Sequence, residues 1–225
     1  MKIITLLLCR GGSKGIPRKN IKPLNGKPLM AYAIDEAKKL KYPVYVSTED
    51  EEIKQVALSL EVNVIDRPAK LAQDDSKSID AVKHALRVLK ESEEPIDYVV
   101  LLNACTPFVK AEDIQACVDI ARKTKCDSVV SLIEDFSSHP SKLCNLIEDR
   151  VYPISSAHSF ETGERQALSK IYKRNTSIYI ASRQTIRKGT FFGKNTRGYV
   201  MPPERSIDIN TPYDFWLCDL IMKNK

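Results

Sequence analysis

Histidine is scarce in this chain, with three in 225 residues, at positions 84, 139 and 158. None has a sequence neighbour suited to general-base work, and their spacing supports no Ser-His-Asp order. Long hydrophobic runs are absent as well. Residues 3–9 are apolar, but the run is short and turns at once into Arg10-Gly11-Gly12. A secretory signal needs a longer apolar core and a small-residue cleavage site. No window approaches the length of a membrane span. A cytoplasmic chain with no membrane partner is therefore expected. The six cysteines, at 9, 105, 117, 126, 144 and 218, form no C-x-x-C pair, and no Cys/His group has zinc-ligand spacing. They read as reduced, mostly buried thiols.

Basic stripes with interleaved aromatics are missing too. The formal charge is +6, but Lys and Arg are spread among the acids. Nucleic acid is thus not an expected partner, and an anionic small substrate accounts for the mild excess. No tract is polar and core-poor, and no internal repeat appears. The hydrophobic share of 43% supplies a core for one domain, or one domain with a small insertion.

What is present is an alternation. Residues 2–9 read as a buried strand, with Ile3, Ile4, Leu6, Leu7 and Leu8 continuous rather than alternating, the pattern of a strand covered on both faces. Further strands are expected at 44–47, 62–65, 98–102 and 128–132. Helical spacing marks 28–40, 50–60, 78–89 and 112–122, with Thr48 or Asp50 placed to cap the second of these. This rhythm predicts an α/β fold with an open, mostly parallel, Rossmann-like sheet flanked by helices. It breaks between 136 and about 174, where His139-Pro140 and Tyr152-Pro153 punctuate polar stretches. Such a segment inside a compact domain is usually functional or an insertion. A strand at 177–181, short strands at 198–201 and 207–209, and a helix at 213–222 follow.

The chemistry concentrates after the first strand, in Cys9-Arg10-Gly11-Gly12-Ser13-Lys14-Gly15-Ile16-Pro17-Arg18-Lys19-Asn20. Open α/β sheets place ligands at such strand ends. Gly11, Gly12 and Gly15 let the backbone turn tightly and approach a ligand. Successive N–H groups there can form an anion-binding concavity. Arg10, Lys14, Arg18 and Lys19 add cations within ten positions, as a triphosphate requires. The loop is neither the P-loop pattern nor the dinucleotide fingerprint.

Arg10-Gly11-Gly12-Ser13-Lys14-Gly15, Lys19-Asn20 and Pro23-Leu24-x-Gly26-Lys27-Pro28-Leu29 resemble the acylneuraminate cytidylyltransferase family, the CMP-sialic acid synthetases. The resemblance continues through Val46-Ser47-Thr48-x-Asp50, Arg67-Pro68-Ala69-x-Leu71-Ala72 and Ser78-Ile79-Asp80. It returns at Tyr199-Val200-Met201-Pro202-x-Glu204-Arg205-Ser206-Ile207-Asp208-Ile209. It implies a nucleotidyltransferase in which the anomeric hydroxyl of a 2-keto sugar acid attacks the α-phosphate of CTP. Pyrophosphate leaves, and Mg²⁺ and cations hold the departing charge. By this resemblance Arg10 and Lys19 face the phosphates, and with Asp208 they form the expected catalytic set. The backbone around Leu8, Cys9 and Arg10 lies against cytosine. Gly12, Ser13, Lys14, Asn20, Arg67, Ser76 and Ser78 complete the nucleotide pocket.

Asp208 matches the family's metal-binding aspartate, but its usual companion is replaced by Asn210. Asn offers a carbonyl oxygen without charge, so a metal held by Asp208 and Asn210 would be bound or hydrated differently. The resemblance also implies that residues 1–135 and 176–225 bind the nucleotide. Residues 136–175 would be a dimerisation arm reaching the partner subunit's site, making a homodimer. Asn103, Lys142, Arg165, Tyr179, Phe191 and Phe192 stand where family members hold the sugar acid. The family's Gln-Pro-Thr-Ser-Pro-Leu-Arg reads Asn103-Ala104-Cys105-Thr106-Pro107-Phe108-Val109 here. A reshaped sugar wall follows, and with it a nine-carbon nonulosonic acid of N-acylneuraminic, legionaminic or pseudaminic type that need not be N-acetylneuraminic acid itself. A Kdo-type synthetase, a sugar-1-phosphate nucleotidyltransferase and a non-catalytic nucleotide-binding homologue are the alternatives.

Overall fold

The computed structural model describes residues 1–90, 95–154 and 169–224. The first apolar run forms β1 (Ile3–Leu8). A short hairpin, β2 (Pro23–Leu24) and β3 (Lys27–Pro28), leads into α1 (Leu29–Lys38). Then β4 (Val44–Thr48), α2 (Glu51–Ser59), β5 (Asn63–Asp66), α3 (Ser78–Lys90), β6 (Tyr98–Leu102), α4 (Ala111–Thr124) and β7 (Ser128–Glu134) alternate. A second hairpin, β8 (Cys144–Ile147) and β9 (Arg150–Pro153), precedes the long β10 (Tyr172–Ser182). After it come α5 (Arg183–Arg187), β11 (Thr196–Val200) and α6 (Pro212–Lys223).

One seven-stranded sheet has the order β11-β7-β10-β6-β1-β4-β5. Within it β1 pairs in parallel with β4 and β6, β5 with β4, and β11 with β7. β10 runs antiparallel between β6 and β7. The sheet is open and mostly parallel, as the alternation predicts.

The continuous burial of β1 follows from helices on both faces. Leu7 and Cys9 pack with Ala33 and Ile34 of α1 and Val118 of α4. Ile4 and Leu6 pack with Val82 and Ala85 of α3 and Ile186 of α5. Successive side chains of one strand thus feed two cores. A third cluster, with Leu24, Leu29, Phe108, Ile209 and Cys218, ties the first hairpin and α6 to the mouth of the sheet. All six cysteines are free thiols, five of them buried and Cys144 exposed. Among the described residues no helix is long and apolar enough to cross a membrane.

Two features of the second half depart from the sequence expectation. β10 begins at Tyr172 rather than 177, and it carries a register shift between Arg174 and Tyr179. In that bulge Thr176 takes a positive φ of 60°, a strained setting for a β-branched residue. A buried polar network holds it. Ser131 Oγ donates to Asn175 Oδ1 at 2.6 Å, and Asn175 Nδ2 donates to Ser206 Oγ at 2.8 Å. Residues 207–209, expected as a strand, pair with no strand. Ile209 N–H instead donates to the Cys105 carbonyl at 3.0 Å, a contact between loops.

Candidate active site

The loop leaving β1 is fixed by side chains from the neighbouring strands. Cys9 N–H donates to the Ser47 carbonyl at 3.0 Å, which extends the β1–β4 ladder by one step. Gly11 N–H then donates to Glu49 Oε1 at 2.8 Å. A Cβ at Gly15 would lie 2.7 Å from the Asn210 carbonyl oxygen, so the close approach of the two loops requires glycine there. Further on, Asn20 Nδ2 donates to the Arg10 carbonyl at 2.9 Å, and Lys19 Nζ donates to the Ile209 carbonyl at 2.7 Å.

A cavity of about 370 Å³ opens beside this loop. Leu8, Arg10, Ser13, Lys19, Asn20, Arg67, Ser76 and Ser78 line it, with Asp74 and Cys105. Cys9 is buried behind it, and burial pushes its thiol pKa up. Gly12 and Lys14 are not in the wall. Lys14 Nζ pairs with Asp74 at 2.6 Å, and Arg10 Nη1 reaches the other oxygen of that carboxylate at 3.1 Å. The Lys14 hydrogen bond, aided by Arg10, holds the Asp74 carboxyl below the usual carboxylate range.

Arg18 does not serve the cavity. Its guanidinium pairs with Asp50 and Glu52 at the start of α2. Of the four cations counted in the loop, Arg10 and Lys19 line the cavity wall. Arg67, whose side chain is 4% exposed, pairs with Glu49 at 2.6 Å rather than with the adjacent Asp66, which takes Lys54. Arg67 Nε is buried with no hydrogen-bond partner among the described residues.

A second cavity, of about 290 Å³, shares Leu8 and Ser78 with the first. Asn103, Thr176 and Tyr179 form its polar wall, with Leu101 and Leu102. Asn103 Nδ2 donates to Asp208 Oδ1 at 3.3 Å. Thr176 Oγ1 and Asn210 Nδ2 donate to Asp208 Oδ2 at 2.7 and 3.0 Å. Asp208 is therefore held by three donors from three segments. The Tyr179 ring lies 6.2 Å from Phe191 and 6.0 Å from Phe192, the latter edge-on. Arg174 stacks on Phe192, 5.2 Å from the ring centre. Lys142 is exposed at the end of a short turn before β8 and lines neither cavity. Arg165 lies outside the described residues.

Sequence reasoning missed Glu49, Asp74, Thr176, Arg174 and Cys105. Asp74 had a local signal, an acid between Leu71 and Ser78 opposite a basic loop. Thr176 had none, because a buried polar bulge breaks the apolar alternation that marks strands. Cys105 Sγ sits 3.8 Å from Asn20 Oδ1, and burial raises its pKa, which keeps the thiol protonated. Among the described residues no group of three or more His, Cys, Asp and Glu side chains could hold a metal ion.

A profile of the family described as "Cytidylyltransferase" matches residues 4–201. The N-acylneuraminate cytidylyltransferase of Streptococcus agalactiae serotype V is 32% identical over 220 residues, covering 96% of this chain and 52% of that protein. The chain thus spans about half the length of several curated relatives that it matches. Post-translational flagellin modification protein B of Campylobacter coli is 30% identical, covering 100% of this chain and 96% of that protein. Among solved structures, a CMP:2-keto-3-deoxy-manno-octonic acid synthetase in complex with CTP superposes with a TM-score of 0.72. It covers 100% of this chain and 99% of that one at 15% identity, a likeness of fold.

Proposed function

This chain belongs to the cytidylyltransferase family, and from that premise we propose that it transfers CMP from CTP to the anomeric hydroxyl of a nine-carbon 2-keto sugar acid. The acceptor is of N-acylneuraminic, legionaminic or pseudaminic type, and pyrophosphate leaves. The observation that carries this reading is the meeting of the two cavities at Leu8 and Ser78. One has the cations and amide donors a nucleotide needs. The other has an amide and an aromatic wall suited to a sugar.

In this reading the backbone at Leu8, Cys9 and Arg10 lies against cytosine. Gly12, Ser13, Asn20, Arg67, Ser76 and Ser78 complete the nucleotide pocket. Arg10, Lys14 and Lys19 meet the phosphates, and the triphosphate replaces Asp74 as the partner of Arg10 and Lys14. Lys19, anchored on the Ile209 carbonyl, stabilises the charge that develops on the leaving pyrophosphate. Asn103, Tyr179, Phe191 and Phe192 face the sugar, and Arg174 pairs with its carboxylate. Lys142 and Arg165 come from the arm, residues 136–175, of a partner subunit in a homodimer. A CTP-dependent reaction of this kind suits the cytoplasm.

Asp208 is a hard oxygen donor hydrogen-bonded to Asn103 and Thr176 of the second cavity's wall. Mg²⁺ is commonly held by one or two carboxylates together with substrate phosphates, so the residues fit it. Asp208 would hold the ion, with Asn210 positioning that carboxylate. An ion held there would supply positive charge to offset that of the phosphates.

The test is pyrophosphate release with each nucleoside triphosphate, Mg²⁺ and a panel of eight- and nine-carbon 2-keto sugar acids. Turnover is expected with CTP and a nine-carbon acid, with an acid other than N-acetylneuraminic acid giving the highest kcat/KM. No turnover with CTP across the panel overturns the proposal. Preference for the eight-carbon acid would make it a Kdo-type enzyme. Lys19→Ala should lower kcat by about 100-fold; an unchanged rate removes Lys19 from the mechanism.

A further inference from the structure

A larger groove, of about 610 Å³, runs between α3 and α5 and belongs to neither of the cavities above. Lys70, Lys83, Arg87, Arg183 and Arg187 line it against a single carboxylate, Asp80. Leu71, Leu86 and Ile186 form its apolar floor. No ion pair joins any of the five cations among the described residues, whereas several cations elsewhere in the chain are paired. Lys14 binds Asp74, Arg18 binds Asp50 and Glu52, Lys54 binds Asp66, and Arg205 binds Asp113. Five like charges left together repel one another, and a bound anion removes that repulsion. Their field is felt nearby. Burial lowers the His84 pKa, and Arg87 and Arg67 push it the same way. Burial and the nearby guanidinium groups thus disfavour a further positive charge at His84.

We propose that this groove is a second anion site, which takes a diphosphate group, free or as part of a nucleotide. Three features select that chemistry. Arginine forks bind phosphate oxygens two at a time, and three of the five cations are arginines. The volume suits a small molecule rather than a single inorganic ion. The apolar floor offers a face for a base without demanding one. The groove is also continuous in structure with the nucleotide cavity. Leu71 lines both, and α3 turns Ser78 and Ala81 toward one and Asp80, Lys83 and Arg87 toward the other. An anion in the groove would thereby order the segment that carries Lys70, Leu71 and Asp74. This site does not depend on the reaction proposed above, because its occupancy is read without turnover.

Calorimetric titration of the full chain with inorganic pyrophosphate tests it. Two sites per chain are expected. Arg183→Gln with Arg187→Gln should weaken one of them by about tenfold or more, while Arg10→Ala should leave that one intact. Arg87→Gln, on the exposed side of α3, serves where the double variant fails to fold and should weaken the same site. In a parallel arm CTP is added first. Loss of the groove heat marks a nucleotide ligand and its persistence marks free diphosphate, and either supports the site. A single site that Arg10→Ala abolishes and the groove variants leave unchanged overturns the proposal. So do unchanged affinities in the groove variants, or a groove that takes a single-stranded oligonucleotide but not pyrophosphate.

Discussion

Glu49 accepts from Gly11 N–H with one oxygen and from Arg67 with the other. One carboxylate therefore fixes the loop after β1 and a residue of the cavity wall. Its partner Arg67 is almost wholly buried, so removing the guanidinium strands a desolvated carboxylate. Arg67→Ala is expected to cost about 3 kcal/mol. Adding Glu49→Ala should cost less than the two single losses together, because the stranded charge is gone. Urea unfolding of the four proteins measures this, and strict additivity would show that the pair is not coupled. Gly15 makes a different kind of demand. A methyl group there meets the Asn210 carbonyl oxygen at 2.7 Å, and one loop must yield. Gly15→Ala should destabilise the chain by about 1–2 kcal/mol and raise the KM for CTP. An unchanged KM would mean that the loop's position relative to residues 208–210 is not what shapes the cavity.

At the scale of elements, α2 shows how a cap also pins the loop after β1. Asp50 accepts from Ile53 N–H at 3.0 Å as the N-cap and also binds Arg18. Asp50→Asn keeps a capping oxygen and loses the charge. The Arg18 hydrogen bond holds the Asp50 carboxyl below its usual value, against the effect of burial and with help from Ile53 N–H. A carboxyl whose folded pKa is depressed stabilises the fold above its unfolded value, about pH 4, and loses that contribution as pH falls through the folded value. The stability gap between the native chain and Asp50→Asn should therefore be full at neutral pH and close in acid. Urea midpoints from pH 7 to pH 3 would follow it, and a gap constant with pH would rule out Asp50 ionisation as its source.

How much of this was legible varies by element for physical reasons. β1 and α3 were readable because burial on a regular element imprints a period on the sequence. The outer end of β10 was not, because Tyr172, Lys173 and Arg174 are exposed there and carry no apolar alternation. Residues 207–209 misled in the opposite sense. Their isoleucines are apolar because they pack under α6 and the first loop, while their backbone bonds go to Cys105 and Lys19 rather than to a strand. The lining of the first cavity was readable because it comes from one contiguous loop plus a few short segments. The convergence on Asp208 was not, since Asn103 and Thr176 reach it from distant parts of the chain.

For the whole molecule, the second hairpin raises the question of what covers it. β8 and β9 form a sheet of their own, and an isolated two-stranded hairpin is marginal in water. Yet Leu146 is 69% exposed and its cross-strand partner Val151 49%. Ile147 and Ile154 are exposed as well. Apolar surface of this kind on a weakly supported element is expected to be buried by another chain. In the homodimer proposed here the partner's arm supplies the cover, and the same contact brings Lys142 to the sugar side of the opposite site. Leu146→Asp with Val151→Asp places two charges on that face and leaves both cavities untouched. Analytical ultracentrifugation should show the native chain at twice its monomer mass and the double variant at the monomer mass. The variant's KM for the sugar acid should rise while its KM for CTP changes little, since the nucleotide cavity is built within one chain. A monomeric native protein, or a double variant that keeps both its mass and its KM values, would show that the hairpin's apolar face serves neither assembly nor the acceptor.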